Sequence, residues 1–214
     1  MHTAACTLEG VNRTVLFVTS VAFALAAFGQ QKSTKPVPPP SKSATDSQLY
    51  RNPAYAFRYQ IPYGWVDRTE KMRSGEDGGK SEVLLAVFER PPEVAGEGVN
   101  SGVVIATEDA AAYPGLKTAQ DFLGPLNEVT AAQGFKPSQE PSEVVMGGRK
   151  LVRADFTKAL SDKVMMYQST LVLVARGHIV LFTFIGGTAD EVDELVERLE
   201  FGGRSPAPGP PSKR

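Results

Sequence analysis

The chain has 214 residues, 42% of them hydrophobic and 22% charged, with 23 Lys+Arg against 24 Asp+Glu. That balance excludes collagen-like, coiled-coil and wholly disordered chains, and a formal net charge of −1 argues against a strongly basic nucleic-acid binder.

The first distinct segment, residues 15–28, is a 14-residue apolar run preceded by Arg13. A membrane-spanning helix needs about 20 apolar residues, so the run fits the hydrophobic part of a secretory signal peptide better than an anchor. Ala27-Phe28-Gly29 places small residues for cleavage before Gln30, which predicts a signal peptide over residues 1–29 and an exported, periplasmic or secreted protein. The 14 residues ahead of the run, Glu9 among them, make a long leader and leave the true start open. The single cysteine, Cys6, precedes the run, so lipid attachment after it is excluded and the processed chain would carry no thiol. Four of 16 prolines fall in residues 31–47 and four in 204–214. Residues 30–49 therefore read as a Pro/Ser/Lys-rich linker and residues 204–214 as a similar tail, with one globular domain over residues 50–203. From residue 48 to 203 there are 22 Asp+Glu and 16 Lys+Arg, so the domain itself is acidic.

Within the domain, residues 55–61 alternate aromatic and apolar with other residues, which predicts a strand ending at the Pro62-Tyr63-Gly64 turn. Residues 68–80 are polar and glycine-containing and read as a loop. Two short apolar strands follow, over residues 83–88 and 102–107. Residues 118–133 read as a helix opened by Thr118 and Asp121 and closed by Gly134. Gly124-Pro125 in its first turns argues for a kink or a later start.

Residues 144–146 and 149–157 flank Gly147-Gly148, a hairpin signal, because paired glycines supply the positive φ of tight turns. Residues 164–174 and 179–185 form another strand pair. Thr188 and Glu191 cap a last helix whose apolar face carries Val192, Leu195, Val196 and Leu199. The elements add up to an α+β domain with an antiparallel sheet of six to seven strands packed by helices.

The entry Asn52-Pro53-x-Tyr55-x-Phe57-x-Tyr59-x-Ile61-Pro62-x-Gly64-Trp65 resembles the opening strand and Gly-Trp turn of PsbP-like domains, named after an extrinsic subunit of photosystem II. The resemblance implies an α/β/α sandwich around an antiparallel sheet over roughly residues 50–201. It implies no catalytic motif and no metal-binding residues, and a fold shared by photosystem accessory proteins, a nuclear-import factor and bacterial envelope proteins does not carry one activity.

The chemistry-bearing residues are few. A Ser-His-Asp arrangement would have to use His178, which falls in a predicted turn, and a His/Cys zinc site lacks ligands. Glu76-Asp77-Gly78-Gly79 lacks the ligand spacing of a calcium loop and reads as a polar loop. The acids at 190, 191, 193, 194 and 197 suit the start of a helix dipole. Met165-Met166-Tyr167 alternates across a strand and needs only ordinary packing. Phosphate loops and dinucleotide fingerprints are absent, and no cofactor is expected.

The binding-surface candidates are Tyr63 and Trp65, which can stack on a ligand or anchor the core, and Glu108, Asp109 and Tyr113 at a strand end. The expectation is a non-catalytic exported accessory or assembly module for an envelope protein complex, with an unidentified envelope protein as partner, no nucleic acid and no membrane span after cleavage. The alternatives are a periplasmic carrier of a small ligand or metal ion, and a carboxylate-based hydrolase.

Overall fold

The computed structural model describes residues 48–73, 81–91, 93, 94, 96 and 98–202. The leader, almost all of the linker, the Glu76-Asp77-Gly78-Gly79 segment and the tail lie outside the described residues. No helix among the described residues is long and apolar enough to cross a membrane.

The chain enters through β1 (Leu49–Asn52), β2 (Phe57–Gln60), β3 (Val66–Asp67) and a one-turn helix α1 (Thr69–Arg73), then β4 (Ser81–Phe88) and β5 (Gly102–Asp109). Two 3₁₀ turns (Ala110–Ala112 and Gln120–Phe122) lead into α2 (Leu123–Ala132) and the short β6 (Lys136–Pro137). The rest is β7 (Ser142–Met146), β8 (Arg149–Ala159), β9 (Met165–Ala175), β10 (His178–Gly186), α3 (Ala189–Glu197) and β11 (Leu199–Phe201). Eight strands form one antiparallel sheet in the order β3-β4-β5-β10-β9-β8-β6, with β7 beside β6 on β8, and β1-β2-β11 form a second sheet. The α+β antiparallel architecture is as the sequence implies, with more strands than counted there.

The large sheet is buried on both faces. On one face Val103, Ile105, Leu171, Val180, Phe182 and Phe184 meet the small sheet and the apolar stripe of α3. Phe57, Phe182 and Phe201 pack edge-on or tilted at 5.0–6.2 Å between ring centres, which joins the two sheets. On the other face Ala154, Phe156, Val172, Ile179 and Leu181 pack under Phe122 and Leu126 of the α2 region. Two-sided burial explains why Gln168 to Leu173 of β9 are all buried rather than alternately exposed.

Local chemistry sets the boundaries. The β9–β10 turn places Arg176 at φ 54° and Gly177 at φ 77°, the left-handed pair that a two-residue hairpin requires. The helix expected over residues 118–133 starts at Leu123, because Pro125 and Gly124 in its first turn delay propagation. Asp121 instead closes a tight turn by accepting from the Lys117 and Thr118 amides at 2.9 and 2.7 Å, and these contacts hold its carboxyl below the ordinary range. Thr188 caps α3 by accepting from the Glu191 amide at 3.1 Å, while the Glu191 carboxylate accepts from the Gly187 amide at 2.8 Å.

Three sequence expectations need correction. Residues 68–80 are not all loop, since Thr69–Arg73 is helical. Leu199 does not extend the face of α3 but opens β11, opposite Tyr59. The first strand is shorter than expected, because residues 53–56 form a turn with Ala56 at φ 56°, and it is preceded by the unexpected β1.

Candidate functional site

β5 pairs Gly102 with Phe88 at one end and Ser81 with Glu108 at the other, while β3 meets β4 at Phe88. Tyr63 and Trp65, just ahead of β3, therefore sit about 20 Å along the sheet from Glu108, taking about 3.3 Å per strand residue. Tyr63 is exposed at the tip of the turn, and Trp65 lies half-buried against the larger core cluster. The five candidates thus separate into an aromatic turn and a strand-end cluster.

The strand-end cluster holds together tightly. β5 continues to Asp109, so Glu108 lies within the strand and is only 6% exposed. It stands opposite Ile179, on the face of the sheet that carries the smaller core cluster. The Tyr113 hydroxyl donates to Glu108 Oε2, and the Tyr113 ring meets Phe122 edge-on at 5.0 Å. Burial pushes the Glu108 carboxyl above the ordinary carboxylate range, against the opposing effect of the Tyr113 hydrogen bond. Burial also pushes the Tyr113 phenol up, reinforced by the bond to Glu108 and by its charge. Asp109 caps the first 3₁₀ turn, its Oδ1 accepting from the Ala111 amide at 2.9 Å. Glu108 and Asp109 are neighbours in a strand and project to opposite sides, so they do not converge on one bond in the manner of a hydrolase acid pair.

His178 lies opposite Asp109 across the ladder, with its Nδ1 3.0 Å from the Arg176 carbonyl oxygen and its ring edge-on to Tyr55 at 6.0 Å. Among the described residues, no group of three or more His, Cys, Asp or Glu could hold a metal ion.

An open cleft of about 480 Å³ lies elsewhere, where α1 meets the outer edge of β4. Tyr50, Leu84 and Leu85 supply its apolar surface, and Arg68, Lys71 and Arg73 its cations. α1 takes the place of a strand at this edge. The Arg68 amide donates to the Ala86 carbonyl at 2.8 Å, the Ala86 amide donates to Thr69 Oγ1 at 2.9 Å, and Arg73 Nε donates to the Val83 carbonyl at 2.6 Å. Arg73 is held in turn by Glu70 at 2.7 Å. Lys71 Nζ lies 2.6 Å from Glu93 Oε1, and the Arg68 guanidinium pairs with the same oxygen. Hydrogen bonds from Lys71 foremost, then from its own backbone and from Arg68, hold the Glu93 carboxyl at about 2.

The cleft is hidden in the sequence because residues 68–80 look polar. The available signal was Asp67-x-x-Glu70, a helix-opening pattern, followed by Lys71 and Arg73 in the last turn. Asp67 does open α1, accepting from the Thr69 amide at 2.8 Å.

No protein-family model matches the chain, and no curated protein does. Solved structures do. Cyanobacterial PsbP (CyanoP) from Synechocystis sp. PCC 6803 aligns with a TM-score of 0.50 at 13% identity, over 76% of this chain and 98% of that one. The Ran-binding protein Mog1p of Saccharomyces cerevisiae gives 0.44 at 10% identity over 74% and 96%. LpqN of Mycobacterium tuberculosis, described as involved in cell envelope biogenesis, gives 0.42 at 13% identity over 73% and 90%. The order of strands and helices, and the cyanobacterial structure matched over nearly its whole length, agree with the resemblance read from residues 52–65: this chain has a PsbP-like fold.

Proposed function

We propose that the chain is an exported, non-catalytic accessory or assembly module that docks on an envelope protein complex. The observation that carries this reading is the division of labour among its polar side chains. Glu108 and Tyr113 hold each other at the end of β5, Asp109 caps a turn, and the cleft at α1 presents apolar surface rimmed by three cations and by Asp67 and Glu70. An open cleft of that character suits a protruding side chain of another protein, with an apolar contact surrounded by charge. The leader over residues 1–29 supports export.

The test is native mass spectrometry of the protein gently extracted from the envelope of its own host. A chain processed before Gln30 and carrying a second protein is the expected result. A chain that always travels alone counts against the reading.

The cleft's volume favours a second reading, a small-ligand carrier, because sites for small molecules commonly measure about 300–1,000 Å³. In the same experiment that reading predicts a small added mass instead of a protein.

A further inference from the structure

Two cations that line the cleft beside α1, Arg68 and Lys71, both meet one carboxylate oxygen, and that carboxylate, Glu93, comes from a separate segment of the chain. Arg90 and Asn100 clamp the base of the segment that carries Glu93. The Arg90 amide donates to Asn100 Oδ1 at 3.1 Å, Asn100 Nδ2 donates to the Arg90 carbonyl at 3.0 Å, and the Arg90 guanidinium donates to the Gly98 carbonyl at 2.8 Å. Glu93 reaches from this segment to Arg68 and Lys71. The acids on the cleft rim have other tasks: Asp67 opens α1 and Glu70 holds Arg73.

The Glu93 side chain is 55% exposed and that of Lys71 66%, so this pair is solvated, while Arg68, at 20%, is the more enclosed partner. Solvated pairs of this kind hold weakly, which makes the Glu93 carboxylate exchangeable for an equivalent one from outside. An Arg guanidinium with an adjacent ammonium is a strong receptor for a carboxylate, and Tyr50 and Leu84 next to it offer apolar contact.

We propose that Arg68 and Lys71 form a recognition site for an acidic side chain flanked by apolar residues on a partner protein, and that Glu93 occupies this site in the unbound chain as an internal surrogate. The inference rests on the docking-module reading and names the chemistry of its partner. Glu93 then sets a threshold: a partner must outcompete an intramolecular carboxylate, which discriminates against weakly acidic or badly shaped segments.

The probes are two blocked tripeptides, Leu-Glu-Leu and Leu-Gln-Leu, titrated into the full chain and followed by NMR at the Arg68 Nε–H and the Leu84 amide. The Glu peptide is expected to bind, the Gln peptide to bind at least several-fold more weakly, and added salt to reduce the difference. E93Q removes the internal competitor and is expected to bind the Glu peptide several-fold more tightly than the native chain. R68Q, with its fold checked by thermal melting, is expected to lose most of the binding. Equal binding of the two peptides, or an E93Q chain with unchanged affinity, overturns the proposal. Envelope extraction of R68Q separates the two levels. A partner retained by R68Q as by the native chain sinks the cleft assignment and leaves the module reading standing. Peptide binding that tracks Glu93 while no partner is ever recovered sustains the cleft and sinks the module.

Discussion

Gly147 lies so close to the carbonyl oxygen of Phe201 that a Cβ at this position would collide with it. The turn between β7 and β8 therefore rests directly on the backbone of β11, and the large sheet touches the small one there without an intervening side chain. Gly147→Ala must both sustain a φ of 53° and displace β11. Gly148→Ala has a φ of 77° but meets nothing within 4 Å. Urea unfolding is expected to show a loss of about 1 kcal/mol for Gly148→Ala and at least about 3 kcal/mol for Gly147→Ala. Similar losses for the two would mean that the β7–β8 turn does not bear on β11.

Glu108 makes stability depend on pH. Its folded carboxyl titrates above its unfolded value because burial disfavours the ion. Between those two values the folded chain holds the proton more firmly than the unfolded one, so this contribution is full below the window and lost as pH rises through it. Glu108→Gln is expected to flatten that part of the profile and to exceed the native chain in stability above the window. Urea midpoints from about pH 4 to about pH 8 measure both. A profile unchanged by the substitution would refute the assignment.

Ser169 is fully buried, and its Oγ has no hydrogen-bond partner among the described residues. It lies in β9 between Asp155 and Phe184. Removing an unsatisfied hydroxyl relieves a desolvation cost, so Ser169→Ala is expected to leave stability unchanged or raise it by up to about 1 kcal/mol, although most buried polar-to-Ala changes destabilise. A clear drop in melting temperature would show that the hydroxyl is satisfied after all.

Arg73 closes the outer edge of β4 by donating to the Val83 and Leu84 carbonyls. Arg73→Ala leaves those acceptors open on a strand whose side chains are largely apolar. Light scattering is expected to show concentration-dependent self-association of the variant, because an uncovered edge is a template for pairing. A monodisperse variant would mean that α1 alone suffices to guard the edge.

Legibility in the sequence followed the range of the interactions. The β7–β8 hairpin was readable because Gly147-Gly148 states its turn locally, and α3 because Thr188 caps it four residues ahead of Val192. Leu199 misled for a physical reason: its spacing from Val192, Leu195 and Val196 continues a helical face, while the partner that makes it a strand, Tyr59, lies in β2 far up the chain. β1 pairs with its near neighbour β2, but at four residues it is too short for alternation to show. α1 has five residues, too few for periodicity to show, and its stability comes from the β4 edge rather than from propensity. At the strand end, proximity in sequence groups Glu108, Asp109 and Tyr113, and the structure joins Glu108 to Tyr113 by a hydrogen bond while Asp109 faces the other way. The Arg68–Lys71–Glu93 arrangement spans a helix and a distant loop, a relationship that no linear spacing encodes.

The small sheet has a consequence for the order in which the molecule can assemble. β2 lies between β1, a few residues before it, and β11, the last described strand, and Arg58 pairs with Glu200 across 142 positions of sequence. A chain that appears N-terminus first can close the β1–β2 hairpin early, but the other edge of β2, with Phe57 and Tyr59, waits for residues 199–201. The last stage of folding is therefore a long-range closure, entropically slow and exposed to wrong pairings until it is done. Loss of residues 199–201 would leave the waiting edge open permanently.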